Sequence, residues 1–421
     1  MTTVARRVTR GDWNAQHLYF TTASLTADDR RLVVIGDRDR PARGPYDPDA
    51  AVNIFVVDVA SGVAERLTEN AAGVAQSYVY FGGHPDRGVA PGSVAFSPAT
   101  GMVLYVQDRT VRRVSVDGGR SAPLAELPPD TVPGYGAVSQ DGDRYLVPVI
   151  DRSAFGDLHA IDETVRRLGL VGHVLVFDTS TGDLFDDIAV PGGWVTHAQF
   201  RPGDAGAILF NHEWAQGSGE RRLWLSDAAG IRPLRQRDGA ETDGRIDGAD
   251  DVEHEVWTPD GCAVVYHGVY HGAGPMAGRS FVGRVSVPGG IVTELPFPAG
   301  FASYGHVSAH DDHTLVTDGI AEPTDAFDAD APSRTASEGH SDRLDGADAP
   351  AEDEGGRWIT LIDIDWSDRR LAWRPIVEHG SSWSSQDAHP HPVFDHAGRS
   401  VIFTTDVDGR RTVARVTPSD R

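Results

Sequence analysis

Apolar residues along this chain come in short runs, each introduced by a tight polar turn, and helical periodicity is scarce. R-L-V-V-I (31–35) follows Leu25-Thr26-Ala27-Asp28-Asp29, and M-V-L-Y-V (102–106) follows Ser97-Pro98. Y-L-V-P-V (145–149) follows Ser139-Gln140-Asp141-Gly142, and A-I-L-F (207–210) follows Arg201-Pro202-Gly203-Asp204. A-V-V-Y (263–266) comes after Thr258-Pro259-Asp260-Gly261. A degenerate turn, His310-Asp311-Asp312-His313, precedes T-L-V, and Asp395-His396-Ala397-Gly398 precedes V-I-F. Runs of this length, rich in β-branched residues and bounded by Gly, Pro, Asp and Ser, are strands.

Each run is followed by a further strand and turn, as in N-I-F-V-V-D-V-A-S-G (53–62), H-V-L-V-F-D-T-S-T-G (173–182), R-L-W-L-S-D-A-A-G (222–230) and W-I-T-L-I-D-I-D (358–365). Seven four-stranded units of roughly 40–60 residues are the signature of a β-propeller. The predicted fold is all-β, a seven-bladed propeller occupying residues 1–421 as one domain. R-R-V-T near the N-terminus is expected to supply the outer strand of the last blade, beside T-V-A-R-V-T (412–417). Three insertions interrupt the rhythm. Residues 37–51 are rich in Asp, Arg and Pro, and 152–170 can form a short amphipathic helix. Residues 320–356 are acidic, lack an apolar run, and are expected to be a mobile loop, since such a stretch cannot build a core.

Charge narrows the function. All 38 basic residues are Arg, against 62 Asp and Glu, for a formal net charge of −24. With no Lys there is no Schiff-base lysine and no P-loop lysine. So acidic a chain is not built for nucleic acid, and an anionic substrate would need a metal or arginines to make the site locally positive. Cys262 is the only cysteine, so no intramolecular disulfide forms and a reducing cytoplasm is the expected compartment. No signal-peptide core is evident near the N-terminus, and no run approaches the roughly 18 apolar residues of a membrane helix, so no membrane partner is expected.

Histidine placement carries the chemistry. Counting back seven residues from the last position of each turn reaches His197, His254, His306 and His391 in the last four blades. The same count in the first three reaches Thr22, Val94 and Tyr135. This position begins the innermost strand, which lines the central channel, so four successive blades aim an imidazole at one volume. His389 stands two residues before His391, sharing a strand face with it, and Gln386 lies three residues further upstream. His306, Gln386, His389 and His391 form the predicted metal site. Imidazoles and a carboxamide suit a mid-row divalent ion such as Mn²⁺, Zn²⁺ or Ni²⁺.

The chain also resembles the oligogalacturonide lyases of polysaccharide lyase family 22, which are cytoplasmic seven-bladed propellers. Q-x-x-H-P-H-P-x-F…V-x-F-T-x-D at 386–406 and H-E-x-W-x-P-D-G at 254–261 are the specific pieces. H-x-x-x…D-G at 306–319, R-x-W-L at 222–225, T-H-x-x-x-R-P at 196–202, N-H-E at 211–213 and Y-F…L-T-A-D at 19–28 extend the likeness. The resemblance implies that Gln386, His389, His391 and His306 bind manganese, that His254 is the Brønsted base, and that Arg222 stabilises charge. His197, His212 and Trp383 are expected to line the substrate pocket. The departure lies at 15–22, where family members tend to carry basic residues and this chain has A-Q-H-L-Y-F-T-T.

What the resemblance implies is β-elimination on short uronate oligosaccharides. The proton on C5 lies α to an ionised carboxylate and is hard to remove unless that charge is neutralised. An arginine and a divalent cation neutralise it, and a neutral histidine takes the proton. Two other readings stand beside this one: a non-enzymatic TolB- or WD40-like binding scaffold, and a lyase for a different uronide. The scaffold would not need Gln386-x-x-His389-x-His391. A propeller-capped serine peptidase is excluded, because the chain has neither a hydrolase domain nor a G-x-S-x-G elbow. Oligomeric state leaves no trace in the sequence.

Overall fold

The computed structural model describes residues 4–38, 47–214, 220–235, 251–271, 276–297, 305–319 and 357–418. Seven antiparallel sheets are arranged as the blades of a propeller. Blade 1 holds Ala15–His17, Arg31–Gly36, Asn53–Asp58 and Ala64–Arg66 from the inside outward. Blades 2, 4 and 5 run the same way through Val89–Glu126, Val195–Pro233 and Asp251–Pro296. Blade 6 takes Val307–Ala309, Thr314–Thr317, Trp358–Asp365 and Arg370–Glu378. In blade 3 the inner position is split between Thr131–Pro133 and Ala137–Val138, both paired with Arg144–Asp151.

Blade 7 mixes the two ends of the chain. Its strands Val393–Phe394, Val401–Thr405 and Thr412–Val416 are completed by Arg6–Arg7, with Arg6 opposite Arg415 and Arg7 opposite Ala414. The N-terminal R-R segment is the closing strand, as its sequence suggested. Segment 152–170 contains a helix, Ile161–Leu168, that ends at Gly169 in the left-handed region at φ +62°. Acidic 320–356, and 39–46 within the first insertion, lie outside the described residues.

The apolar runs are continuous because each sheet is buried on both faces. In blade 1, Leu32 and Val34 pack toward Ile402 and Val413 of blade 7, while Val33 and Ile35 pack toward Val103 and Tyr105 of blade 2. Blade 4 repeats this, with Ile208 and Phe210 facing blade 3 and Leu209 facing blade 5. Polar turns stay outside these layers. In Thr258–Gly261 the Asp260 carboxylate accepts from the Thr258 hydroxyl at 2.7 Å and the Cys262 amide at 2.9 Å, and Gly261 adopts φ +67°. The turn thereby fixes the register of the inner strand it follows, which is what makes a fixed count back from it meaningful.

The inner strands enclose a cavity of about 340 Å³ lined by Phe20, Leu25, Ala137, Phe200, Trp257 and Phe394, among others. Phe20 closes one end. Its ring also lies 5.2–6.2 Å, centroid to centroid, from those of His197, His254, His306 and His391, so it separates the cavity from the histidines.

Candidate metal centre and its surroundings

A local backbone irregularity aims three of the four histidines, His197, His254 and His391. In blade 4 the pairing slips between Thr196 and Gln199, and in blade 5 between Glu253 and Val256, each time with one extra residue on the inner strand. His197 and His254 sit in these bulges with φ of +50° and +51°, and His391 adopts φ +47° just before its strand. Such a conformation costs a non-glycine residue about 1–2 kcal/mol. It turns the side chain away from the strand's alternation and into the channel.

His306, His389 and His391 come together, with ligating nitrogens all within 4.8 Å of one another. The rings of His306 and His391 are 4.0 Å apart, and His389 lies 5.4 Å from His306. The Gln386 carboxamide reaches the His391 Nε2 at 3.2 Å. Three of the four predicted ligands are thus one cluster, with the fourth in contact with it. All three histidines are buried.

Asp318 holds the cluster. Its carboxylate accepts from the His306 amide at 2.6 Å and the His391 amide at 3.0 Å, and pairs with the His306 Nδ1 at 3.1 Å. One side chain therefore ties the inner segments of blades 6 and 7, and an Nδ1–H donated to it leaves the His306 Nε2 lone pair free to bind a cation. Burial pushes Asp318 up to about 7, against the amide donors that favour its charged form. His17 Nε2 lies 3.1 Å from the Pro390 carbonyl between His389 and His391, bracing that turn from blade 1. Burial, then the neighbouring imidazoles, holds His306 and His391 well below the ordinary histidine range. Neutral imidazoles beside a carboxamide fit a borderline divalent cation.

His254 stands next to this cluster, its ring 4.3 Å from that of His306. Its Nδ1 is 2.7 Å from the Gly305 carbonyl and 2.8 Å from the His267 Nε2. A proton on Nδ1 donated to Gly305 leaves Nε2 as the basic nitrogen. Burial and the nearby His267 and His197 keep His254 far below the usual value, so it is neutral at pH 7.

His197 takes a different setting. Its Nε2 is 2.9 Å from the Tyr19 hydroxyl, and its Nδ1 is 3.5 Å from the Glu255 carboxylate. Although burial opposes its charge, Glu255 raises its basicity above the ordinary value. Glu255 is fully buried and accepts from the Asn211 amide at 2.9 Å.

The remaining predicted residues are spread around this centre. Trp383 covers the cluster, 4.6 Å from His389 and stacked at 6.4 Å on His306. Arg222 donates to Glu213 at 3.0 Å and to the Trp214 carbonyl, so its described contacts are not with the clustered histidines. Neighbouring carboxylates, Glu213 foremost and then Glu253 and Glu255, offset its burial and keep it charged. His212 stacks on Trp224 at 4.9 Å and accepts from Trp214 Nε1 at 3.0 Å. Its ring contacts among the described residues stay within blade 4, and burial pushes it down to about 4.

Sequence reasoning did not assign Asp318, Tyr19, Phe20, His17, Glu255 or His267. Asp318 closes the H-x-x-x…D-G piece, and Tyr19-Phe20 opens Y-F…L-T-A-D, so both were inside noticed strings without a role. Glu255 is likewise the second residue of H-E-x-W-x-P-D-G, whereas His267 carries no local signal.

Fold and donor set together define a class: a seven-bladed propeller with a buried, imidazole-rich cluster that could hold a cation. The family model described as oligogalacturonate lyase matches residues 2–334, and the chain belongs to that family. It is 23% identical over 424 residues to the oligogalacturonate lyase of Dickeya dadantii strain 3937, covering 96% of this chain and 90% of that protein. An oligogalacturonate lyase structure in complex with manganese superposes with a TM-score of 0.70 at 19% identity, covering 100% of this chain and 97% of the other. The oligogalacturonate lyase of Vibrio parahaemolyticus gives the same TM-score at 17% identity, covering 99% and 97%.

Proposed function

We propose that this protein is a divalent-metal-dependent lyase that cleaves short oligogalacturonides by β-elimination, with His306, Gln386, His389 and His391 holding Mn²⁺. The observation that carries this reading is the buried His306–His389–His391 cluster with His254 4.3 Å from His306, ring to ring. Membership of the oligogalacturonate lyase family supports the substrate class. The manganese complex of a structurally similar lyase supports the choice of metal.

When bound, the cation offsets the charge of the substrate's C6 carboxylate and so makes C5 more acidic. Arg222, permanently charged, adds positive potential for a uronate carboxylate. His254, fixed through Nδ1 at Gly305, presents Nε2 to the C5 proton. As that proton moves to Nε2, the C5–H electron pair forms the C4–C5 double bond. O4 leaves C4 with the C4–O4 pair and takes up a proton, giving a 4,5-unsaturated uronate. Trp383 and His197 border this volume, and His212 supports the wall behind it through Trp214.

The whole chain is read as one propeller domain resident in the cytoplasm, with a small anionic oligosaccharide as partner and neither nucleic acid nor membrane. Its −24 charge supports the exclusion of nucleic acid. No helix among the described residues is long and apolar enough to cross a membrane. A passive scaffold reading leaves the cation pocket without a purpose. Two substitutions test the assignment. His254→Ala should lose turnover on trigalacturonate and keep its metal, whereas His306→Ala should lose both. Turnover retained by His254→Ala would remove the base from the scheme.

A further inference from the structure

A second set of donors lies beside the first. Glu253 and His267 are direct cross-strand partners in blade 5, so their side chains leave the same face of the sheet. The bulge at His254, with φ +51°, swings a third donor toward them. One ligand atom from each of Glu253, His254 and His267 falls within 4.8 Å of the others. The Gly305 carbonyl oxygen, 2.7 Å from the His254 Nδ1, adds a fourth donor at the same place.

Their spacing fits a small cation. Donors about 2.0–2.1 Å from a tetrahedral Zn²⁺ stand roughly 3.3 Å apart. Here the His254 Nδ1 is 2.8 Å from the His267 Nε2 and 2.7 Å from the carbonyl, so these donors need to part by only a few tenths of an ångström, while a Glu253 oxygen lies within 4.8 Å of the two nitrogens and would close onto the ion. A hydrogen-bonded imidazole pair accounts for the nitrogen contact alone. It calls for neither a carboxylate nor a carbonyl around the same point.

We propose that Glu253, His254 Nδ1, His267 Nε2 and the Gly305 carbonyl form a second divalent-cation site, selective for Zn²⁺ over Mn²⁺, and that filling it switches the protein off. Two imidazoles favour Zn²⁺ strongly over Mn²⁺. With its Nδ1 on a cation, neutral His254 keeps its one proton on Nε2 and has no lone pair for a substrate proton. The site rests on geometry alone. Its inhibitory consequence rests on the lyase reading.

Equilibrium dialysis of the metal-free full-length chain against Zn²⁺ tests the site without any assay of activity. The wild type should bind two ions per chain, and His267→Gln one. Glu253→Gln, at a partly exposed position that tolerates the change, should weaken the second ion at least tenfold. His389→Ala combined with His391→Ala should still bind one. With Mn²⁺ and trigalacturonate present, rising Zn²⁺ should stop the wild type, and Glu253→Gln should need at least tenfold more. One ion per wild-type chain, or two retained by a folded His267→Gln, overturns the proposal. Two ions bound by a wild type that makes no unsaturated product would uphold the site and sink the lyase reading instead.

Discussion

Blades 1–3 and blades 4–7 share one architecture and differ in what they mount at one position. Thr22, Val94 and Tyr135 occupy in the first three blades the place that His197, His254, His306 and His391 hold in the last four. Tyr135 stacks on Tyr19 at 3.8 Å, Val94 is buried in the core between blades, and Thr22 lines the cavity below Phe20. Blade 2 even has its own irregularity, between Ala90 and Ala95, yet no metal-type donor sits there. Irregular pairing of the inner strand therefore does not by itself make a site; the chemistry comes from the residue placed there. One half of the ring mounts aromatic, aliphatic and hydroxyl side chains, and the other faces it with imidazoles, of which His254, His306 and His391 are held neutral and His197 is made more basic by Glu255.

Exchanging residues between the halves gives the largest expected effect. His391→Val puts the side chain of Val94 into blade 7 and should weaken Mn²⁺ binding at least about 100-fold, with turnover lost in parallel. His254→Ala should lower kcat by roughly 10²–10⁴-fold at unchanged Mn²⁺ content. Asp318→Asn keeps every ligand but loses the clamp on His306 and His391, and should cost about 10–100-fold in metal affinity, read by competition with a chelating dye. Tyr19→Phe removes the hydroxyl at His197 and should cost about 0.5–1.5 kcal/mol of stability by denaturant titration. Thr22→Ala, on the inert half, should change stability by no more than about 0.5 kcal/mol and leave kcat alone.

The pH profile separates the halves in another way. His254 acts only while neutral, and its pKa is depressed by burial and by His267 and His197. Protonation on acidification therefore begins below the usual value of about 6.5, and the acid limb of kcat should lie there. A limb centred above pH 7 would contradict the assigned environment of His254.

Much of this was legible because the repeat keeps register. The turn before each apolar run fixes the register of the inner segment, so a count of seven residues finds His197 and His254 within their inner strands and His306 and His391 just before theirs. The closing strand Arg6–Arg7 was legible for the same reason, as an unpaired strand pattern left over at the N-terminus. Asp318 was not, because its role depends on two segments from different blades meeting one carboxylate, and 62 acidic residues offer no contrast. Arg222 was legible as a residue but not in its pairing with Glu213, nine positions earlier in the chain. His267 emerges only from the cross-strand register that sets it opposite Glu253.

The most direct test of the central claim is near-ultraviolet absorbance with trigalacturonate as substrate. The account predicts that metal-free protein is silent, that Mn²⁺ starts a steady rise from the unsaturated product, and that chelator stops it reversibly. No rise with Mn²⁺, or a rise indifferent to chelator, would contradict it.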